Sequence, residues 1–199
     1  MYSLWRTLLV AGWIGVAAPA LCLEDKFLMI IDFASETAAW PSIDDVVMGG
    51  VSSSEMVVDD GFATFRGEVS FDNNGGFASV RSRPQVRDLS SFDGLALRVR
   101  GDGKTYGFRI RTNSSFDGVS YQVAISPPAG EWHEVRVAFT DFVPVYRGRR
   151  VTDHPPLDAA QVTTLGLIIS RQEGPFRLDI ASIAGYRLRG AGFSNESPS

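Results

Sequence analysis

The sequence has one cysteine, Cys22, and two histidines, His133 and His154. A lone thiol excludes an internal disulfide, so stability has to come from packing. Two histidines on separate segments, with no clustered cysteine or carboxylate ligands, exclude a zinc centre of the usual kind. No serine lies in a Gly-x-Ser-x-Gly elbow, the setting of one common acyl-transfer nucleophile. Glu131 and Glu134, three apart on a strand pattern, point to opposite faces and form no glycosidase pair. The net charge of −4 disfavours general binding to nucleic acid or anionic membrane. Long apolar runs are missing except at residues 8–18. That run is shorter than the ~20 residues of a membrane span. Arg6 before it and the small residues Ala18 and Ala20 at its end read as a secretory signal peptide over 1–22. The expectation is therefore an exported chain, periplasmic or secreted, with no span after cleavage; the alternative is an uncleaved N-terminal membrane anchor. No cofactor is expected, and no catalytic residue is assigned.

What remains is a domain over 23–188, with 189–199 small, polar and expected to be disordered. Its apolar residues alternate with a period of two. Leu95, Leu97 and Val99 oppose Arg98 and Arg100; Phe108 and Ile110 oppose Arg109 and Arg111. Similar runs fall at 27–33, 61–71, 76–82, 119–126, 132–139, 165–170 and 176–183, separated by Gly, Pro, Asn and Asp turns. Short strands at this spacing predict an all-β antiparallel sandwich or jelly roll. A single short helix is predicted over 157–165, after an irregular segment at 141–158.

Several residues stand out as sites. Gly101-Asp102-Gly103 reads as a hairpin turn, because the phosphate-loop pattern fails at Arg98. A hairpin there would gather Arg98, Arg100, Arg109 and Arg111 on one face as an anion-binding surface. Asp32 and Asp179, on the first and last strands, are candidate ligands of a structural calcium. The segment Trp40 to Ser54 holds two carboxylates, a Gly pair and a Ser run, more than a turn requires. Gly49 and Gly50 permit unusual backbone, and Asp44 and Asp45 can bind backbone amides. Met48 and Trp40 remain as candidate contacts for a partner.

Taken together, Asp45-x-x-Met48-Gly49-Gly50-x-Ser52, Gly75-Gly76-Phe77-Ala78-x-Val80-Arg81, Gly101-Asp102-Gly103, Trp132 and Arg147-Gly148 resemble the complex I intermediate-associated protein family. These are assembly factors for NADH:ubiquinone oxidoreductase, and the resemblance runs from Phe33 to Tyr186. It implies a galactose-binding-like jelly roll and a non-enzymatic, chaperone-like role toward subunits of a membrane complex. Asp44 stands where the family pattern has Asn. The expected partner-binding residues are Trp40, Asp44, Asp45, Met48, Gly49, Gly50, Tyr146, Arg147 and Arg149. A second reading, a carbohydrate-binding module, would place Trp40, Tyr121 and Tyr146 as aromatic platforms for a glycan.

Overall fold

The computed structural model describes residues 26–35 and 40–188. The expected leader, with Cys22, and the expected tail at 189–199 lie outside these residues. The alternating runs form two antiparallel sheets facing each other. The first carries β2 (Ser53–Asp59), β3 (Phe62–Val69), β12 (Gly174–Arg187), β5 (Gly94–Arg100) and β8 (Trp132–Ala138) in that order, with β1 (Lys26–Asp32) also paired to β12. The second runs β10 (Arg149–Arg150), β9 (Val143–Tyr146), β7 (Ser120–Ile125), β6 (Tyr106–Arg111), β11 (Thr164–Ser170) and β4 (Phe77–Arg81).

β12 is the spine of the first sheet. Its first half pairs with β3 and its second half with β1, end to end along one side, while β5 runs along the other side. Between the sheets the inward residues of the two-residue period make one core. Phe65, Leu95, Leu97, Phe176, Leu178 and Ile180 come from the first sheet, and Phe108, Ile110, Leu165, Leu167 and Ile169 from the second. The Phe65 and Phe176 rings approach to 4.8 Å between centroids. Burial of this alternating face drives the fold, at roughly 25 cal/mol per Å² of apolar surface.

Two local expectations are corrected. Gly101–Gly103 is not a hairpin: β5 pairs with β12 and β8, whereas β6 pairs with β11 and β7 in the opposite sheet. The segment crosses between layers, held by the Gly130 N–H to the Gly101 carbonyl and by the Arg177 N–H to Asp102. The short helix shrinks to a 3-10 turn at Ala159–Gln161, capped by Asp158 accepting from the Ala160 N–H, and Thr164 onward is strand. Among the described residues no helix is long and apolar enough to cross a membrane.

Candidate functional site: a stapled edge and its apolar turn

At one edge of the sandwich, β2 and β3 of the first sheet meet β4 of the second. The segment 40–54 closes this edge. Trp40 is buried against Phe33, with centroids 5.9 Å apart, and is core rather than a contact for a partner or a glycan. Asp44 accepts from the Ser54 N–H at 2.8 Å and hydroxyl at 2.6 Å, and from the Ser79 N–H at 2.9 Å, so it ties β2 to β4.

Asp45, fully buried, accepts from the Ser52 N–H at 3.0 Å and hydroxyl at 2.5 Å, and from the N–H groups of Gly76 and Phe77 at 2.7 and 3.1 Å. The Ser52 hydroxyl oxygen in turn accepts from the Ser70 N–H. Burial alone would raise the Asp45 carboxyl; the hydrogen bonds from Ser52, Gly76 and Phe77 outweigh it and hold the group below its ordinary value. A buried carboxylate this well satisfied is a structural clamp.

The glycines are explained by the same clamp. Gly49 ends the 3-10 turn Asp45–Met48 at φ +90°, which favours glycine. A Cβ on Gly50 would lie 2.3 Å from Asp45 Oδ1, inside contact distance. Asp45 and Gly50 are therefore buried structural residues, which corrects their reading as partner contacts. What the clamp leaves outside is apolar: Val46, Val47, Met48 and Val51 are 62%, 67%, 64% and 52% exposed. Of the residues expected to meet a partner here, Met48 is the side chain that projects; Val46, Val47 and Val51 were missed, although their place beside Met48 was visible in the sequence.

The second expected contact loop lies elsewhere. Tyr146, Arg147, Gly148 and Arg149 form a tight turn between β9 and β10, with Arg147 at φ +47° and Gly148 at φ +74°. It starts from the edge of the second sheet opposite β4, so the two loops are not brought together. Arg147 pairs with Asp117 at 2.8 Å and lies over the Tyr146 ring. Tyr146 and Arg149 are exposed. Tyr121, the third expected aromatic platform, is corrected to core: its ring is buried and its hydroxyl donates to the Pro155 carbonyl at 3.0 Å, pinning the irregular segment to β7.

The four-arginine face does not exist as expected. Arg98 and Arg100 lie on β5 in the first sheet, and Arg109 and Arg111 on β6 in the second. Arg100 lies over the rings of Phe62 and Trp132 and pairs with Asp179 at 2.7 Å. Asp179 also accepts from Arg177 and the Thr64 hydroxyl. With both oxygens committed to the chain's own donors, Asp179 is an ion-pair centre, which corrects its reading as a calcium ligand. Asp32 accepts from the Ala34 N–H in the turn after β1, and among the described residues no cluster of three metal-ligating groups is present.

This architecture is that of carbohydrate-binding modules. The family 11 carbohydrate-binding module of a Clostridium thermocellum cellulase matches 85% of this chain and 99% of its own, with a TM-score of 0.61 and 16% identity. An agarase structure matches 80% of this chain and 24% of its own, at a TM-score of 0.52 and 15% identity. At these identities the likeness is one of fold. In sequence, the chain belongs to the family of complex I intermediate-associated protein 30, whose family model matches residues 31–180.

Relatives include an uncharacterised protein of Schizosaccharomyces pombe, 29% identical over 71% of this chain and 75% of its own length. Complex I intermediate-associated protein 30, mitochondrial, of Mus musculus is 33% identical over 50% of this chain, and that of Drosophila melanogaster 24% identical over 60%. The matches span 32% of the mouse and 48% of the fly protein, less than half of each. The expectation of export is overturned here: the mouse, fly and Neurospora crassa relatives are named as mitochondrial proteins, which points to a mitochondrial location.

Proposed function

We propose that the chain is a non-enzymatic assembly factor that acts by protein contact with subunits or intermediates of respiratory complex I, and that the turn 46–51 is its docking element. The observation that carries the reading is the exposed cluster of Val46, Val47, Met48 and Val51 on a backbone clamped by Asp44 and Asp45. Exposed apolar side chains on a fixed frame lose little conformational freedom on binding, and Met adapts to an irregular partner surface. Family membership supplies the class of partner.

The test is co-purification. A tagged chain and its Val47→Asp/Met48→Asp variant are expressed in cells lacking the endogenous relative, and complex I subunits are scored in the eluates. The chain is expected to recover them and the variant to lose them without a change in melting temperature. Equal recovery by both would sink the docking role of the turn. The glycan reading retains the fold likeness and the exposed Tyr146, but Trp40 and Tyr121 are buried, which leaves it one of its three platforms.

A further inference from the structure

A different set of arginines converges on the outer face of the second sheet. Across β4, β11 and β6, Arg81 is in register with Gly166 and Gly166 with Arg109; two pairs along, on the same face, Thr164 is opposite Arg111. Paired residues in an antiparallel ladder share a face, so Arg81, Arg109 and Arg111 surround the bare backbone of Gly166. The hollow is lined by these three arginines with Ser79, Thr164 and Gly166. A Cβ on Gly166 would meet the Val80 carbonyl at 2.8 Å, which keeps the floor empty.

The three guanidinium groups are held by neutral acceptors. Arg109 Nε donates to Gln122 Oε1 at 2.8 Å, Arg81 Nη1 to the Phe116 carbonyl at 3.0 Å, and Arg111 Nη1 to the Gly118 carbonyl at 3.1 Å. Among the described residues none of the three forms an ion pair. The nearby carboxylate, Asp117, is engaged by Arg147 and the Tyr146 hydroxyl. Each arginine is thus oriented through one N–H and keeps further donors unspent. Burial, together with repulsion from Arg111, presses Arg81 down to about 10, and burial with repulsion from Arg111 and Arg81 does the same to Arg109; burial also lowers Arg111. All three stay charged at neutral pH. Asp117 attracts Arg81 and Arg111 and partly offsets this lowering, but Arg109 has no carboxylate acting on it, and Asp117 is itself paired with Arg147, so three guanidiniums share less than one counter-charge.

We propose that Arg81, Arg109 and Arg111 around Gly166 form a binding site for a phosphoryl oxyanion. A phosphate monoester brings about −1.5 to −2 charge and three acceptor oxygens, which balances three guanidiniums better than one carboxylate does. Planar forks with free N–H groups are the donors suited to it. The chemistry is shared by soluble phosphates and by the headgroup of an anionic lipid. The site is on the opposite sheet from β2 and β3 and shares with the clamp of the docking turn only Ser79, whose N–H is held by Asp44.

Titration calorimetry of the full chain with inorganic phosphate, against chloride at matched ionic strength, should show saturable binding. Arg81→Gln and Arg109→Gln should each weaken it about tenfold, the worth of one charge-assisted hydrogen bond. Arg98→Gln, which removes the same charge from the other sheet, should change it less than about twofold, because that charge is distant and screened. The Gly166 and Thr164 amide resonances of the unaltered chain should move on phosphate addition, a readout that needs no variant to fold. Sedimentation with phosphatidylcholine vesicles carrying phosphatidic acid identifies the source: capture lost in Arg109→Gln assigns a lipid headgroup, and phosphate binding without capture assigns a soluble ester. No saturable heat above chloride, unmoved Gly166 and Thr164 resonances, or equal weakening by Arg98→Gln would overturn the proposal.

Discussion

Asp44 and Asp45 are consecutive in the chain and clamp the same edge at two points along the same pair of strands, β2 and β4: Asp44 joins Ser54 to Ser79, and Asp45 joins Ser52 to the Gly76–Phe77 backbone. β2 and β4 belong to different sheets, so this acidic pair fastens the two layers where no ladder connects them.

Replacing Asp45 with Asn keeps the shape and removes the charge. The N–H groups of Gly76 and Phe77 and the Ser52 hydroxyl already share Oδ2, so the new amide must face either them or the Ser52 N–H on Oδ1, donor against donor. The expected loss is about 2–3 kcal/mol, the range for hydrogen bonds to a charged acceptor, measured by denaturant unfolding.

The same carboxylate sets a pH dependence. Its folded value lies below the ordinary 3.8, because the hydrogen bonds outweigh burial. As pH falls, the unfolded chain takes up the proton first; the stabilisation is therefore complete above the ordinary value and is lost as pH falls through the folded one. Asp45→Asn should flatten the decline of stability below about pH 4, the range where free carboxyls titrate. An unchanged acid limb in the variant would show that other carboxylates govern it.

Two glycines separate crowding from backbone strain. Gly50→Ala pushes a methyl group into Asp45 and should cost about 1–3 kcal/mol, as overpacking does. Gly148→Ala meets nothing within 4 Å and bears the left-handed penalty alone, about 1 kcal/mol. Paired melting curves give the comparison.

Around Asp179 the two arginines should differ. Arg100 makes two contacts to Oδ2, at 2.7 and 2.8 Å, and lies over the adjoining rings of Phe62 and Trp132; Arg177 makes one contact and is half exposed. Arg100→Met should destabilise by about 2 kcal/mol or more, since it uncovers a buried carboxylate, and Arg177→Met by less than about 1 kcal/mol. Equal losses in unfolding experiments would refute this ranking.

Tyr121→Phe removes the hydroxyl that reaches the Pro155 carbonyl and His154. The expected global cost is about 1 kcal/mol. The sharper readout is local: backbone amides in 151–158 should exchange faster while β7 stays protected.

The two-residue period of Leu95, Leu97 and Val99 or Phe108 and Ile110 made the sandwich legible, because half-buried strands write their burial directly into alternation. Pairing partners were not legible. Gly101–Gly103 carries a strong local turn signal, yet β5 and β6 are claimed by β12 and β11, strands that lie more than fifty residues further along. β2 escaped because Met56 is its one deeply buried residue. The structural half of the Asp44–Ser54 motif could be read from the chemistry of Asp, Gly and Ser. Arg81 could not be grouped with Arg109, since only the register across Gly166 makes them neighbours.

β12 pairs with β1, β3 and β5, so the first sheet has no middle until residues 174–187 have been synthesised. On the ribosome, the apolar faces of β3 and β5 emerge long before the strand that joins them. Such non-local pairing slows folding and prolongs exposure to aggregation. A chain shortened before Gly174 is therefore expected to collect as insoluble nascent product, while loss of the two-residue β10 leaves folding on the ribosome unchanged.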